Sequence, residues 1–178
     1  VKAAVDYLYQ QKQMQSVGIF GVSMGAATSI MAMDKDPRVA AGVFEAGWSN
    51  LTDLYTEIIV QYLGLPSFPL LPLTTWMLEW RTGIDMDQLN PEDMLGDIAP
   101  RPVFIIHCTA DKLISFSHGE RNYAAANEPK RFISVMPMRE DKLGGHVDAL
   151  YDNLTLLEQP LHELLGAPVT QMVVAATP

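Results

Sequence analysis

Gly21-Val22-Ser23-Met24-Gly25 is the arrangement through which this chain could do chemistry. A serine between two glycines two residues away on either side can stand on a tight turn with its hydroxyl exposed. The amides of a helix that starts just after it point at the same spot. The amide of Met24 would then donate to the oxyanion of a tetrahedral intermediate. A serine hydroxyl is a poor nucleophile near neutral pH, so it needs a histidine to take its proton and an acid to orient that histidine. The chain supplies four histidines, His107, His118, His146 and His162. His146 lies in a Gly144-Gly145-His146 loop, and Asp111 closely follows an apolar run that ends in Ile106-His107. The plainer reading of Ser23 is a serine in a glycine-rich turn, and only the flanking elements separate the two.

Those elements alternate. Apolar residues at helical spacing over residues 1–13 (Ala4, Val5, Leu8, Tyr9) precede a short apolar run at 17–22. Directly after Ser23, small residues with Met24, Ile30 and Met31 predict a helix that stops before Pro37. Further buried strands are predicted at 39–46, 102–107 and 131–136, with a helix over 118–127 and a closing helix over 147–165. Strand alternating with helix implies an α/β fold, a parallel sheet with helices on both faces. Ser23 thus sits between a strand and a helix, the context that its motif requires. Residues 49–99 read as a lid-like insertion, with helices at 51–62 and 73–81 around a stretch broken by Pro66, Pro69 and Pro72. The catalytic portion is expected over 1–165, and residues 166–178 as a disordered tail.

Composition narrows the function. A chain of 178 residues, 48% hydrophobic and 19% charged, can bury the core of one domain. A net charge of −9 with no cluster of Lys and Arg argues against nucleic acid as a partner. Cys108 is the single cysteine, which excludes an intramolecular disulfide and a cysteine-rich zinc site and fits a reducing cytoplasm. The most apolar stretch, 62–73, is too short and too rich in proline to span a bilayer, and no opening segment has the form of a signal peptide. No cofactor and no metal is expected; for His107, beside Cys108, no second ligand falls at i+3 or i+4 on a shared helix face.

Ile106-His107-Cys108-Thr109-Ala110-Asp111 resembles the I-H-G-x-x-D acid loop of α/β-hydrolases of the serine aminopeptidase and acyl-hydrolase type. Ser23-Met24-Gly25-Ala26 and Gly145-His146 resemble its companions, and the resemblance covers all of the chain but the tail. It implies a triad of Ser23, Asp111 and His146 in the family's chain order, an acyl-enzyme intermediate, and an ester, thioester or peptide-type small-molecule acyl substrate. Cys108 departs from the family's Gly, and Ser115 stands where a Pro commonly follows the acid. His107 resembles the family's structural histidine. Glu45, ending the second strand, is where some relatives place their acid.

The remaining candidates have simpler readings. Asp148 caps or solvates the closing helix, and His118 and His162 are surface or helix-flank residues. Trp48, Trp76, Trp80, Tyr55, Tyr62 and Phe68 cluster in the insertion with Met77 and Met86, as suits an apolar acyl pocket, although helix packing accounts for most of them. By the same resemblance, earlier strands and a second oxyanion donor are expected to precede Val1. The alternative function is a non-catalytic remnant that self-associates through an exposed sheet edge.

Overall fold

The computed structural model describes residues 1–137 and 142–147. The expected tail and nearly all of the closing helix, with Asp148 and His162, lie outside the described residues. Four apolar strands, β1 (Val17–Val22), β2 (Val39–Glu45), β3 (Val103–Cys108) and β4 (Lys130–Val135), pair in parallel in the order β1-β2-β3-β4. Helix α1 (Lys2–Gln10) precedes β1, α2 (Met24–Lys35) joins β1 to β2, and α5 (Phe116–Ala125) joins β3 to β4. All six residues of β3 and all but Ala40 of β2 are buried, so the central strands are covered on both faces.

Strand alternation explains the core. Phe44, Ile105 and Phe132 are in register on one face, with Ile19 two residues further back on the same face, and they pack with Ala26, Ile30 and Met33 of α2 and with Val5, Tyr123 and Ala126. Ile30 and Met33 are fully buried, worth about 1.5–3 kcal/mol each. Arg101 closes the far end of α2, donating from Nη1 to the carbonyls of Met33 (2.6 Å) and Asp36 (3.1 Å).

The register also aligns the carboxyl ends. Val22 lies beside Glu45, and Glu45 beside Ile106, so the segments that leave β1, β2 and β3 emerge at one edge.

Between β2 and β3 the chain forms α3 (Leu51–Glu57), a π-helical turn Ile58–Tyr62, α4 (Ser67–Thr82) and short 3₁₀ turns up to Ile98. Asn50 caps α3 by accepting from the amide of Asp53 at 3.1 Å. Helix α4 starts earlier than the 73–81 span predicted from sequence. Phe68 is non-helical, so Pro69 opens the regular part and Pro72 falls in its first turn, where a missing N–H costs least. The aromatic cluster of the insertion divides. Trp48 and Met86 are buried with Leu51, Leu54 and Ile114, whereas Phe68, Trp76 and Trp80 are exposed on α4, which buries none of its residues. Among the described residues no helix is long and apolar enough to cross a membrane.

Candidate active site

Ser23 leaves β1 in a left-handed conformation, φ 54° and ψ −122°, which costs a non-glycine residue roughly 1–3 kcal/mol. The surroundings impose it. The Ser23 amide donates to the carbonyl of Glu45 (2.8 Å), and its own carbonyl accepts from the amide of Ala26 (3.0 Å), which starts α2. The two glycines do different work from that expected of them as a pair. Gly21 permits close approach, since a Cβ there would lie 2.3 Å from the Gly25 carbonyl oxygen, whereas a Cβ on Gly25 would meet nothing within 4 Å. The strained residue is the serine itself. At the start of α2 the Met24 amide has no acceptor within the helix.

Asp111 lies in the loop after β3, 8% exposed. Its Oδ1 accepts from the amides of Leu113 (2.9 Å) and Ile114 (3.0 Å). Its Oδ2 accepts from His146 Nδ1 at 2.6 Å. Burial by itself would raise the pKa of this carboxyl. The hydrogen bonds from His107 and His146, the charge of His146 and the Ile114 amide outweigh burial and hold it down at about 2, so Asp111 is ionised.

The loop that carries His146 is docked on the acid loop by backbone. The Lys112 amide donates to the Leu143 carbonyl (3.0 Å), and the Cys108 thiol donates to the Gly144 carbonyl (3.4 Å). Cys108, the departure from the family's Gly, therefore ties the end of β3, which leads into the Asp111 loop, to the loop that bears His146. Gly144 is required to be glycine: its φ is 68°, and a Cβ would lie 2.0 Å from the Ala110 carbonyl oxygen. His146 Nε2 then stands 2.9 Å from Ser23 Oγ. An ionised carboxylate only accepts, so Nδ1 carries the hydrogen and Nε2 is left to accept from the serine hydroxyl. Ser23, His146 and Asp111, 123 and 35 positions apart along the chain, thus form one hydrogen-bonded line. Such a line can draw a proton from Oγ as the oxygen attacks an electrophilic carbon.

Glu45 is buried at the end of β2, and the His146 ring nitrogen that an acid must hold is taken by Asp111. The reading of His118 as a surface residue is corrected. The residue is fully buried where α5 packs on the segment after β2, and its Nδ1 accepts from the Ser49 amide (3.1 Å), Ser49 Oγ (3.0 Å) and Arg121 (2.7 Å). Burial lowers its pKa. Sequence reasoning missed Glu57 of α3, which accepts from Ser115 Oγ at 2.7 Å and so joins the insertion to the acid loop; a lone glutamate in a helix carries no local signal. Between them, beside Asp111, opens a cleft of ≈380 Å³ lined also by Ile58, Gln61 and Leu113. Among the described residues no group of three His, Cys, Asp or Glu side chains could hold a metal.

A parallel sheet with an elbow after its first described strand, and the later loops converging on it, is the α/β-hydrolase fold. The model of the prolyl oligopeptidase family, Peptidase_S9, matches residues 1–147, and the chain belongs to that family. It is 35% identical over 165 residues to the uncharacterized protein YfhR of Salmonella typhi, covering 86% of this chain and 49% of the relative. To the uncharacterized protein YqkD of Bacillus subtilis it is 31% identical over 117 residues, 64% of this chain and 38% of the relative. An esterase of Pyrococcus furiosus has the same fold at a TM-score of 0.64 and 17% identity, covering 93% of this chain and 58% of that one. The chain spans less than half the length of the curated relatives it matches.

Proposed function

We propose that this chain carries the triad of a serine hydrolase that acts on an ester, thioester or peptide-type acyl group through an acyl-enzyme. The observation that carries the reading is the line from Ser23 Oγ through His146 to Asp111, 2.9 Å and 2.6 Å long. Ser23 Oγ attacks the acyl carbon while His146 Nε2 takes its proton. The carbonyl electron pair moves onto oxygen, where the Met24 amide at the head of α2 donates to it. Collapse expels the alcohol, thiol or amine with the proton from Nε2 and leaves the acyl group on Ser23. Water, deprotonated by the same nitrogen, then releases the acid and restores the hydroxyl. Asp111, ionised and filled with donors, keeps the imidazole in the tautomer that can begin the cycle. Exposed apolar surface on α4 supports an apolar acyl or aromatic group as the part of the substrate that the insertion meets.

A fluorophosphonate probe tests the reading, because phosphorus is attacked as the carbonyl is. The probe should label Ser23 in the full chain, and Ser23→Ala should abolish both labelling and ester hydrolysis. Wild-type labelling in that variant would assign the nucleophile elsewhere.

A further inference from the structure

His107 is the penultimate residue of β3, its ring fully buried, four residues before Asp111 and on the same sheet face as Val103 and Ile105. Its Nε2 lies 2.9 Å from the carbonyl oxygen of Ile114 and 3.4 Å from Asp111 Oδ2. A carbonyl oxygen can only accept, so Nε2 carries the hydrogen and donates it to Ile114, with Asp111 Oδ2 as the longer, second neighbour of the same N–H. The other nitrogen, Nδ1, is buried without a hydrogen-bond partner, as a ring with its single hydrogen on Nε2 allows. Asp111 thus accepts from two amides on Oδ1 and from His146 on Oδ2, and the His107 Nε2–H makes a longer contact with the same Oδ2 at 3.4 Å.

The ring is held where it is by its neighbours. Helix α5 lies against it through Gly119, where a Cβ would come 2.7 Å from His107 Nδ1 and 2.8 Å from its Cβ. Phe116 meets it edge to face with centroids 6.0 Å apart. The His107 donor therefore cannot swing away from the acid loop.

We propose that His107 is a positioning residue for the reaction, acting through Asp111: its Nε2–H fixes the face of Oδ2 that holds His146 Nδ1–H. This rests on the triad reading above and goes beyond a structural role for a buried histidine. A carboxylate that lost this donor could rotate about its Cβ–Cγ bond and share Oδ2 less well with His146, whereas substrate would meet an unchanged surface. The effect belongs in kcat, not KM.

The test uses His107→Leu and His107→Gln in the full chain, because the Gln amide nitrogen can reach the place of Nε2 and Leu offers no donor. His107→Leu should lower kcat about 10- to 100-fold, the range lost when a group that orients a metal-ligating side chain is removed, with KM unchanged. It should also shift the downfield proton resonance of His146 Nδ1–H. His107→Gln should restore most of kcat and the resonance while sharing any loss of thermal stability that Leu causes. Two results would overturn the proposal: His107→Leu with wild-type kcat and resonance, or Gln failing as badly as Leu at equal Tm. Failure of the triad reading is distinguishable, since the wild-type chain would then show no Ser23 labelling by the fluorophosphonate.

Discussion

At the scale of residues, the site is a problem of keeping a buried carboxylate charged and aimed. Asp111 solves it with two amides and two imidazoles, and the consequence is measurable. Asp111→Asn leaves the shape but puts an amide where Nδ1–H needs an acceptor. The imidazole then favours the wrong tautomer, and kcat should fall by a factor on the order of 10⁴, as tautomer loss does in other triads, with KM nearly unchanged. Glu45→Gln should do far less, and steady-state kinetics that ranked the two in reverse would move the acid to β2. The lowered pKa of Asp111 also has a stability cost in acid. A carboxyl held at about 2 in the fold, against the usual 3.8, contributes stability above the ordinary carboxylate range and loses it as pH falls toward 2. Urea midpoints measured from pH 5 to pH 2 should therefore drop less steeply in Asp111→Asn than in the wild type. Parallel curves would mean that the carboxylate is not favoured by the fold.

At the scale of elements, the turn at Ser23 is tight because Gly21 of β1 lies against the backbone of Gly25 in α2, while the Cα of Gly25 faces away from that contact. Gly21→Ala forces a methyl group against the backbone of α2 and should destabilise by about 1–3 kcal/mol or more, as overpacking does. Gly25→Ala should fold at nearly wild-type stability, because its Cβ enters open space and α2 gains a better helix former. Equal Tm losses in the two variants would contradict the geometry of the turn. The insertion poses a different question, because α4 exposes a stacked pair, Trp76 and Trp80, with centroids 6.4 Å apart. Trp80→Ser removes an exposed ring and should leave stability within about 0.5 kcal/mol. If the helix meets the acyl group, the same variant should raise KM for long-chain p-nitrophenyl esters and leave it unchanged for the acetate. Unchanged KM for both would remove α4 from substrate recognition.

At the scale of the whole molecule, β1 stands at an edge of the described sheet while leading directly into Ser23. Its sequence, Val-Gly-Ile-Phe-Gly-Val, has none of the Lys or Pro residues with which edge strands resist pairing. The 178-residue chain by itself should therefore self-associate through β1. Light scattering should show mass rising with concentration, and Gly18→Lys, at the exposed position of the strand, should reverse it. A monodisperse monomer across that range would show that the edge is protected.

The four strands, α2 and the turn between β1 and α2 were legible in the sequence because each is written in local period and local chemistry: apolar runs at 17–22 and 102–107, small residues after Ser23, a proline after Asp36. The resemblance of three ordered motifs likewise pointed to Ser23, Asp111 and His146. What the sequence could not carry were the contacts across long separations. That His118 is buried depends on Ser49, 69 residues away, reaching its ring. That Cys108 is tolerated in place of Gly depends on a carbonyl 36 residues away. That Ser23, and neither glycine, bears the left-handed φ follows from the hydrogen bond its amide makes to the neighbouring strand. Period and composition are properties of a few adjacent residues, whereas the partner of a buried polar group is chosen by which chain segments the sheet register brings together.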